Sequence, residues 1–164
     1  MFVVFGGYVT AAALSEPAGP PVSVGGVVTV QPLTGWQVVN TAAVGGLPAL
    51  RLTRGVGNLD VVAVVPYGGS ARALADDYVD RVLSRQLSHL SVSGDLTSVP
   101  LGDGLVGERF SYIGVTDTGS SVEGEVTAVV TGDNGVVFDG WAPEGLLTFV
   151  DGDIHTMIDR AVYP

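Results

Sequence analysis

The sequence predicts an α+β fold with a mainly antiparallel sheet, and three observations carry that expectation. Valine-rich, strand-like runs cluster on either side of one strongly helical stretch instead of alternating with helices, which separates α+β from doubly wound chains. Two late strands alternate apolar and polar residues, as half-buried antiparallel strands do. The chain then closes on a second stretch of helical spacing.

The chain opens MFVVFGGYVTAAAL, with no charged side chain before Glu16, and continues SEPAGPP. As a helix, residues 1–14 would cover about 21 Å at 1.5 Å per residue, short of the ~30 Å hydrocarbon core of a bilayer. Read as a secretory signal, Phe2 to Val9 would be the apolar core and Ala11, Ala12 and Ala13 the small residues, but the basic flank is missing. A start upstream of Met1 would complete either reading. Residues 1–21 are therefore expected to be the remnant of a membrane anchor or signal, ending in a Pro/Gly linker. The alternative is a buried first strand or helix. A single α+β domain is expected over 22–164.

VSVGGVVTVQP, Val22 to Pro32, reads as a strand closed by proline. GWQVV gives a short strand around Trp36 to Val39. Ala49–Thr53 and Leu59–Val65 flank RGVGN, a hairpin signal. The period then changes. Leu74, Tyr78 and Val82 recur at four-residue spacing, with Val79, Leu83, Leu87 and Leu90 in the adjacent row. This predicts a central helix over about 70–90, capped by Ser70, with its Leu74, Tyr78, Val82 and Leu87 face on the sheet. Asp76 and Asp77 early and Arg81 and Arg85 late suit the helix dipole.

Strands resume at Ser93–Val99 and in GLVGERFSYIGV. In SVEGEVTAVVT, Val122, Val126, Ala128 and Val130 point inward, and Glu123, Glu125 and Thr127 point to a solvated outer face. Such a face implies a sheet covered by helix on one side. Asn134-Gly135 reads as the type I′ dipeptide of the following hairpin. A C-terminal helix, firm over Asp153–Val162, closes the chain.

Composition excludes several functions. Net charge is −10, and the seven basic residues are scattered arginines with no lysine. Nucleic-acid binding needs clustered cations to displace phosphate counterions, and docking on anionic lipid needs the same. The absence of cysteine removes disulfides, thiolate nucleophiles, thiolate zinc sites and iron–sulfur clusters together. Richness in Ala, Gly, Val and Asp without lysine suggests a GC-rich genome.

Candidate chemistry is sparse. His89 and His155 are the two histidines, and Asp151, Asp153 and His155 fall short of a calcium loop's ligand set. Ser70 follows two glycines, but GGSAR lacks the phosphate-loop lysine. No G-x-S-x-G elbow occurs. Asp103 with Glu108, or Glu123 with Glu125, could form carboxylate pairs for acid–base work, but Glu123 and Glu125 share one strand face and read as solvated outer-face residues. Trp36 and Trp141, each after a glycine, suggest either an aromatic-lined groove for an apolar ligand or core packing. No residue is assigned a catalytic, cofactor-binding or metal-binding role.

PLTGWQVV, GGSARALADDYVDRVLSRQL and NGVVFDGWAPEGLLTFVDGDIHTMIDRAV together resemble the early strand, central helix and closing strand–helix of the PsbP-like fold family, which includes Mog-like and LpqN-type proteins. The likeness spans roughly Val22 to Val162. It implies a non-enzymatic accessory or docking module with no cofactor, exported and tethered to the membrane through its N-terminus, with a protein partner. Two alternatives stand beside it. One is a carrier holding an acyl or other apolar ligand between sheet and helix. The other is a hydrolase with an unrecognised site.

Overall fold

The computed structural model describes residues 17–39 and 43–164. The apolar segment expected over 1–21 therefore lies outside the described residues as far as residue 16. Its last residues meet the chain at Pro32 and Leu33: Pro17 bridges Leu33, and the Ala18 N–H donates to the Pro32 carbonyl at 2.7 Å.

Among the described residues, one large antiparallel sheet contains β3 (Gln37–Val39), β4 (Ala49–Arg54), β5 (Gly57–Val64), β6 (Ser88–Val92), β7 (Thr97–Pro100), β8 (Val106–Val115), β9 (Ser121–Thr131) and β10 (Asn134–Pro143). Its spatial order is β3-β4-β5-β10-β9-β8, with β6 and β7 sharing the outer side of β8. The long alternating strands β8, β9 and β10 are central because each can bury one row against each layer. A separate ribbon of β1 (Val22–Val24) and β2 (Val28–Val30) packs nearby. It corrects the single strand expected over Val22 to Pro32. Gly25 and Gly26, at φ +58° and +71°, turn the chain there.

The central helix begins where expected. Ser70 accepts the Ala73 N–H at 3.1 Å and starts α1 (Ala71–Tyr78). A π-helical turn over Val79–Leu83 follows, then a single turn, α2 (Ser84–Gln86). The helix thus ends at Gln86 instead of about 90, and Ser88 to Leu90 belong to β6. The wider π turn rotates the buried face, so that Leu74, Ala75, Tyr78, Val82 and Leu83 are sealed and Leu87 is half-buried. The C-terminal helix is α3 (Asp151–Asp159), entered through a 3₁₀ turn at Leu147–Phe149. It stops short of the expected Val162, whose backbone instead pairs with Thr29 at 2.8 and 2.9 Å.

Both faces of the sheet carry a core. Leu74, Tyr78 and Leu83 pack on Val62, Val126 and Val137 from one side. Ile154, Met157 and Ile158 of α3, with Val28 and Val30, pack on Leu52, Val61 and Phe138 from the other. The expectation of a sheet covered on one side is corrected accordingly. Thr127, read as outward, is 1% exposed beneath this second layer.

The β9–β10 turn also differs from expectation. Asn134 pairs with Thr131, so the turn residues are Gly132 and Asp133. Gly135 is a strand residue. A Cβ there would lie 2.8 Å from a Leu74 methyl, so its glycine makes room for α1.

Candidate functional site

Two polar constellations stand out, one on each face. On the α1 face, Arg51, Asp60 and Asp139 form one rung, because Arg51 is the cross-strand partner of Asp60 and Asp60 of Asp139. Arg51 grips Asp60 through Nε and Nη2 at 2.6 and 2.8 Å, a bidentate fork, and lies 5.3 Å above the Trp141 ring. The Trp141 indole N–H donates to Asp60 at 3.2 Å.

Asp139 is buried and accepts one hydroxyl on each carboxylate oxygen, from Tyr78 and from Tyr112, both at 2.8 Å. Burial and the neighbouring Asp60 push its carboxyl up to about 7, against the pull of the two hydroxyls and Arg51. Burial, then the Asp139 charge, also holds both tyrosines well above their usual range. Tyr112 reaches Asp139 only because Gly124 lies beneath its ring. A Cβ at Gly124 would sit 2.3 Å from the ring.

A carboxyl poised near neutrality is a standard candidate for acid–base work. Here both oxygens are occupied by tyrosine hydroxyls and the group is 3% exposed. The geometry suits a tie between helix and sheet. An adjoining cleft of about 230 Å³ opens past Asp60, Gln86, Leu87 and Trp141.

On the α3 face, the helix covers the centre of the sheet but not its β6–β8–β9 end. That end forms an open groove of about 440 Å³, floored by Ser91, Ser111, Ile113 and Glu123 and walled by Leu147 and Asp151. Beside it, Glu125 meets His155 at 2.5 Å and Arg109 at 3.4 Å, and Arg109 donates to Thr127 at 2.9 Å. Burial acts to raise the Glu125 carboxyl, but the His155 hydrogen bond and the Arg109 charge outweigh it, leaving it below the usual range. Glu123 accepts the Leu147 N–H at 2.9 Å and so positions the groove wall.

Glu123 and Glu125 do share a face, as the alternation predicts, but they are half-buried and partnered instead of simply solvated. Asp153, read with Asp151 and His155, instead reaches across to Arg54 and to the Trp36 indole N–H, the latter at 2.9 Å. Trp36 and Trp141 belong to opposite faces and line no common groove. Among the described residues no cluster of three or more His, Asp or Glu could hold a metal ion. Sequence reading passed over Arg51, Asp60, Asp139 and the two tyrosines. The available signal was a lone carboxylate inside each apolar run, NLDVVAVV and VVFDGWA.

No family model matches the chain, and no curated protein matches it. Solved structures do. The solution structure of cyanobacterial PsbP (CyanoP) from Synechocystis superposes with a TM-score of 0.61 at 14% identity, over 88% of this chain and 92% of that one. The fold is PsbP-like. LpqN of Mycobacterium tuberculosis, described as involved in cell envelope biogenesis, gives 0.58 at 11% identity, over 91% and 90% of the two chains. The Ran-binding protein Mog1p of Saccharomyces cerevisiae gives 0.54 at 11%, over 90% and 96%. The PsbP-like fold anticipated from the three quoted stretches is thus the observed one.

Proposed function

We propose that this chain is a non-enzymatic accessory module that acts through protein–protein contacts on the extracytoplasmic side of a membrane. In this reading segment 1–21 is the tether and 22–164 the working domain. The observation that carries it is the open groove beside α3. Ile113 in its floor is 47% exposed, and Phe149, next to the lining residue Thr148, is 76% exposed. Large apolar side chains left in water beside a groove mark interaction surfaces. The Ran-binding description of one structural neighbour agrees with a protein partner.

The carrier alternative finds less support. The apolar space between α1 and the sheet, bordered by Leu47, Val64, Leu74, Val82 and Val137, measures about 200 Å³. Ligand pockets start near ~300 Å³. No helix among the described residues is long and apolar enough to cross a membrane.

The test places a photo-cross-linking residue at Phe149 in the complete gene, expressed in the source cell. The expected result is a discrete adduct in the membrane fraction, accessible to protease from outside. An adduct-free protein in the cytosolic fraction would overturn the reading.

A further inference from the structure

The groove beside α3 also specifies the chemistry of what it would hold. Its floor comes from β6, β8 and β9, which present Ser91, Ser111, Ile113 and Glu123 on the face that α3 leaves bare. Its wall adds Leu147 and Asp151. Two carboxylates line this space and no cationic side chain does. Arg109 and His155, on β8 and α3, both pair with Glu125. Glu123 spends one oxygen on the Leu147 N–H, which fixes the carboxylate at the groove edge. The groove is therefore locally negative on a chain of net charge −10.

The apolar part is equally placed. Ile113 lies in the floor between the serines, and Phe149 stands where the 3₁₀ turn meets α3. A second copy of this chain would bring another −10 to the same surface. A strongly basic partner without apolar groups would leave Ile113 and Phe149 in water.

We propose that the groove docks a short partner segment in which lysine or arginine side chains alternate with apolar ones. The cations face Glu123 and Asp151, the apolar side chains cover Ile113 and Phe149, and the serine hydroxyls hydrogen-bond the segment's backbone. This deepens the accessory-module reading and rests on it.

The probe is a fluorescein-labelled decapeptide alternating lysine and leucine, titrated by anisotropy at low and at physiological salt. Two counterparts carry glutamate in place of lysine, or serine in place of leucine. Saturable binding of the lysine–leucine peptide alone is expected. The double variant Glu123→Gln, Asp151→Asn should weaken it roughly tenfold, the scale of two solvent-facing ion pairs. Ile113→Ser with Phe149→Ser should weaken it several-fold. Asp76→Asn with Asp80→Asn removes the same charge from the exposed side of the central helix and should change affinity less than twofold. Thermal midpoints within a few degrees of the parent establish that all variants are folded.

Equal weakening by the control pair would show a diffuse electrostatic attraction and overturn the proposal. Binding of the glutamate peptide, or no saturable binding at low salt, would do the same. The cellular cross-link at Phe149 is independent of these outcomes. An adduct there, with no preference for the basic–apolar peptide, would leave the partner contact standing and remove only its chemistry.

Discussion

The two faces of one sheet treat their carboxylates in opposite ways. Under the central helix, Asp60 and Asp139 are 4% and 3% exposed, side by side on one rung, with Arg51, Trp141 and two tyrosine hydroxyls bonded to their oxygens at the edge of a small cleft. Beside α3, Glu123 and Glu125 sit one strand away at half burial, Glu125 paired with His155 and Arg109, and Glu123 holding the Leu147 N–H at the edge of the open groove. Residue type is nearly the same in both places. Coverage differs: a carboxylate sealed by a layer becomes part of the scaffold, and one at the layer's edge remains available to a partner.

The largest expected difference concerns the packing that seals the first face. Leu83→Ala should cost about 2–5 kcal/mol, as buried leucine truncations do, because Leu83 is 1% exposed. Leu87, half-buried beyond the π turn, should cost less than half as much. Equal losses in urea unfolding would mean that the helix face runs regularly through Leu87.

Next comes the charge rung. Arg51→Ala should cost about 2–3 kcal/mol, below the range of roughly 3–5 for a fully buried pair, since the guanidinium side chain is 42% exposed. On the other face, His155→Ala should cost under about 1 kcal/mol, as half-exposed pairs do. If His155 costs as much as Arg51, the contrast between the faces fails.

A pH series sharpens the comparison further. The Asp139 carboxyl titrates near 7 when folded and near 3.8 in the unfolded chain. The folded state thus holds that proton more tightly. The resulting stability is fully present below about pH 4 and lost as pH rises through 7. The thermal midpoint should fall between pH 5 and pH 8, and Asp139→Asn should flatten that fall. Glu125, lowered in the folded state, contributes the opposite sign. Its stability is present above the ordinary carboxylate range and lost only in stronger acid. The smallest effect follows: Glu125→Gln should diminish the loss of stability in stronger acid.

Much of this frame is legible in the residues. Four-residue spacing and the Ser70 cap predict the central helix, because a helix must bury one stripe and satisfy its first amides. Alternation predicts the long strands. What escaped depends on the other layer. Gly135 looks like a turn residue until Leu74 is seen occupying its missing side chain. Thr127, Glu123 and Glu125 look solvated until α3 is folded over the sheet, since alternation reports two faces without saying what covers each. The groove was only partly legible, because Ile113 and Leu147 look like core residues in an apolar sequence.

Gly124 carries a last consequence. Tyr112 lies across it to reach Asp139, and these three residues sit on three adjacent strands. None can change alone without penalty. A side chain at 124 evicts the ring, loss of the ring's hydroxyl strands a carboxylate oxygen, and loss of the carboxylate orphans two hydroxyls. Heredity should therefore treat the three positions as one character. Among descendants of a common ancestor they should be kept together or exchanged together, the glycine gaining a side chain only in lineages that had already given up the tyrosine and the acid.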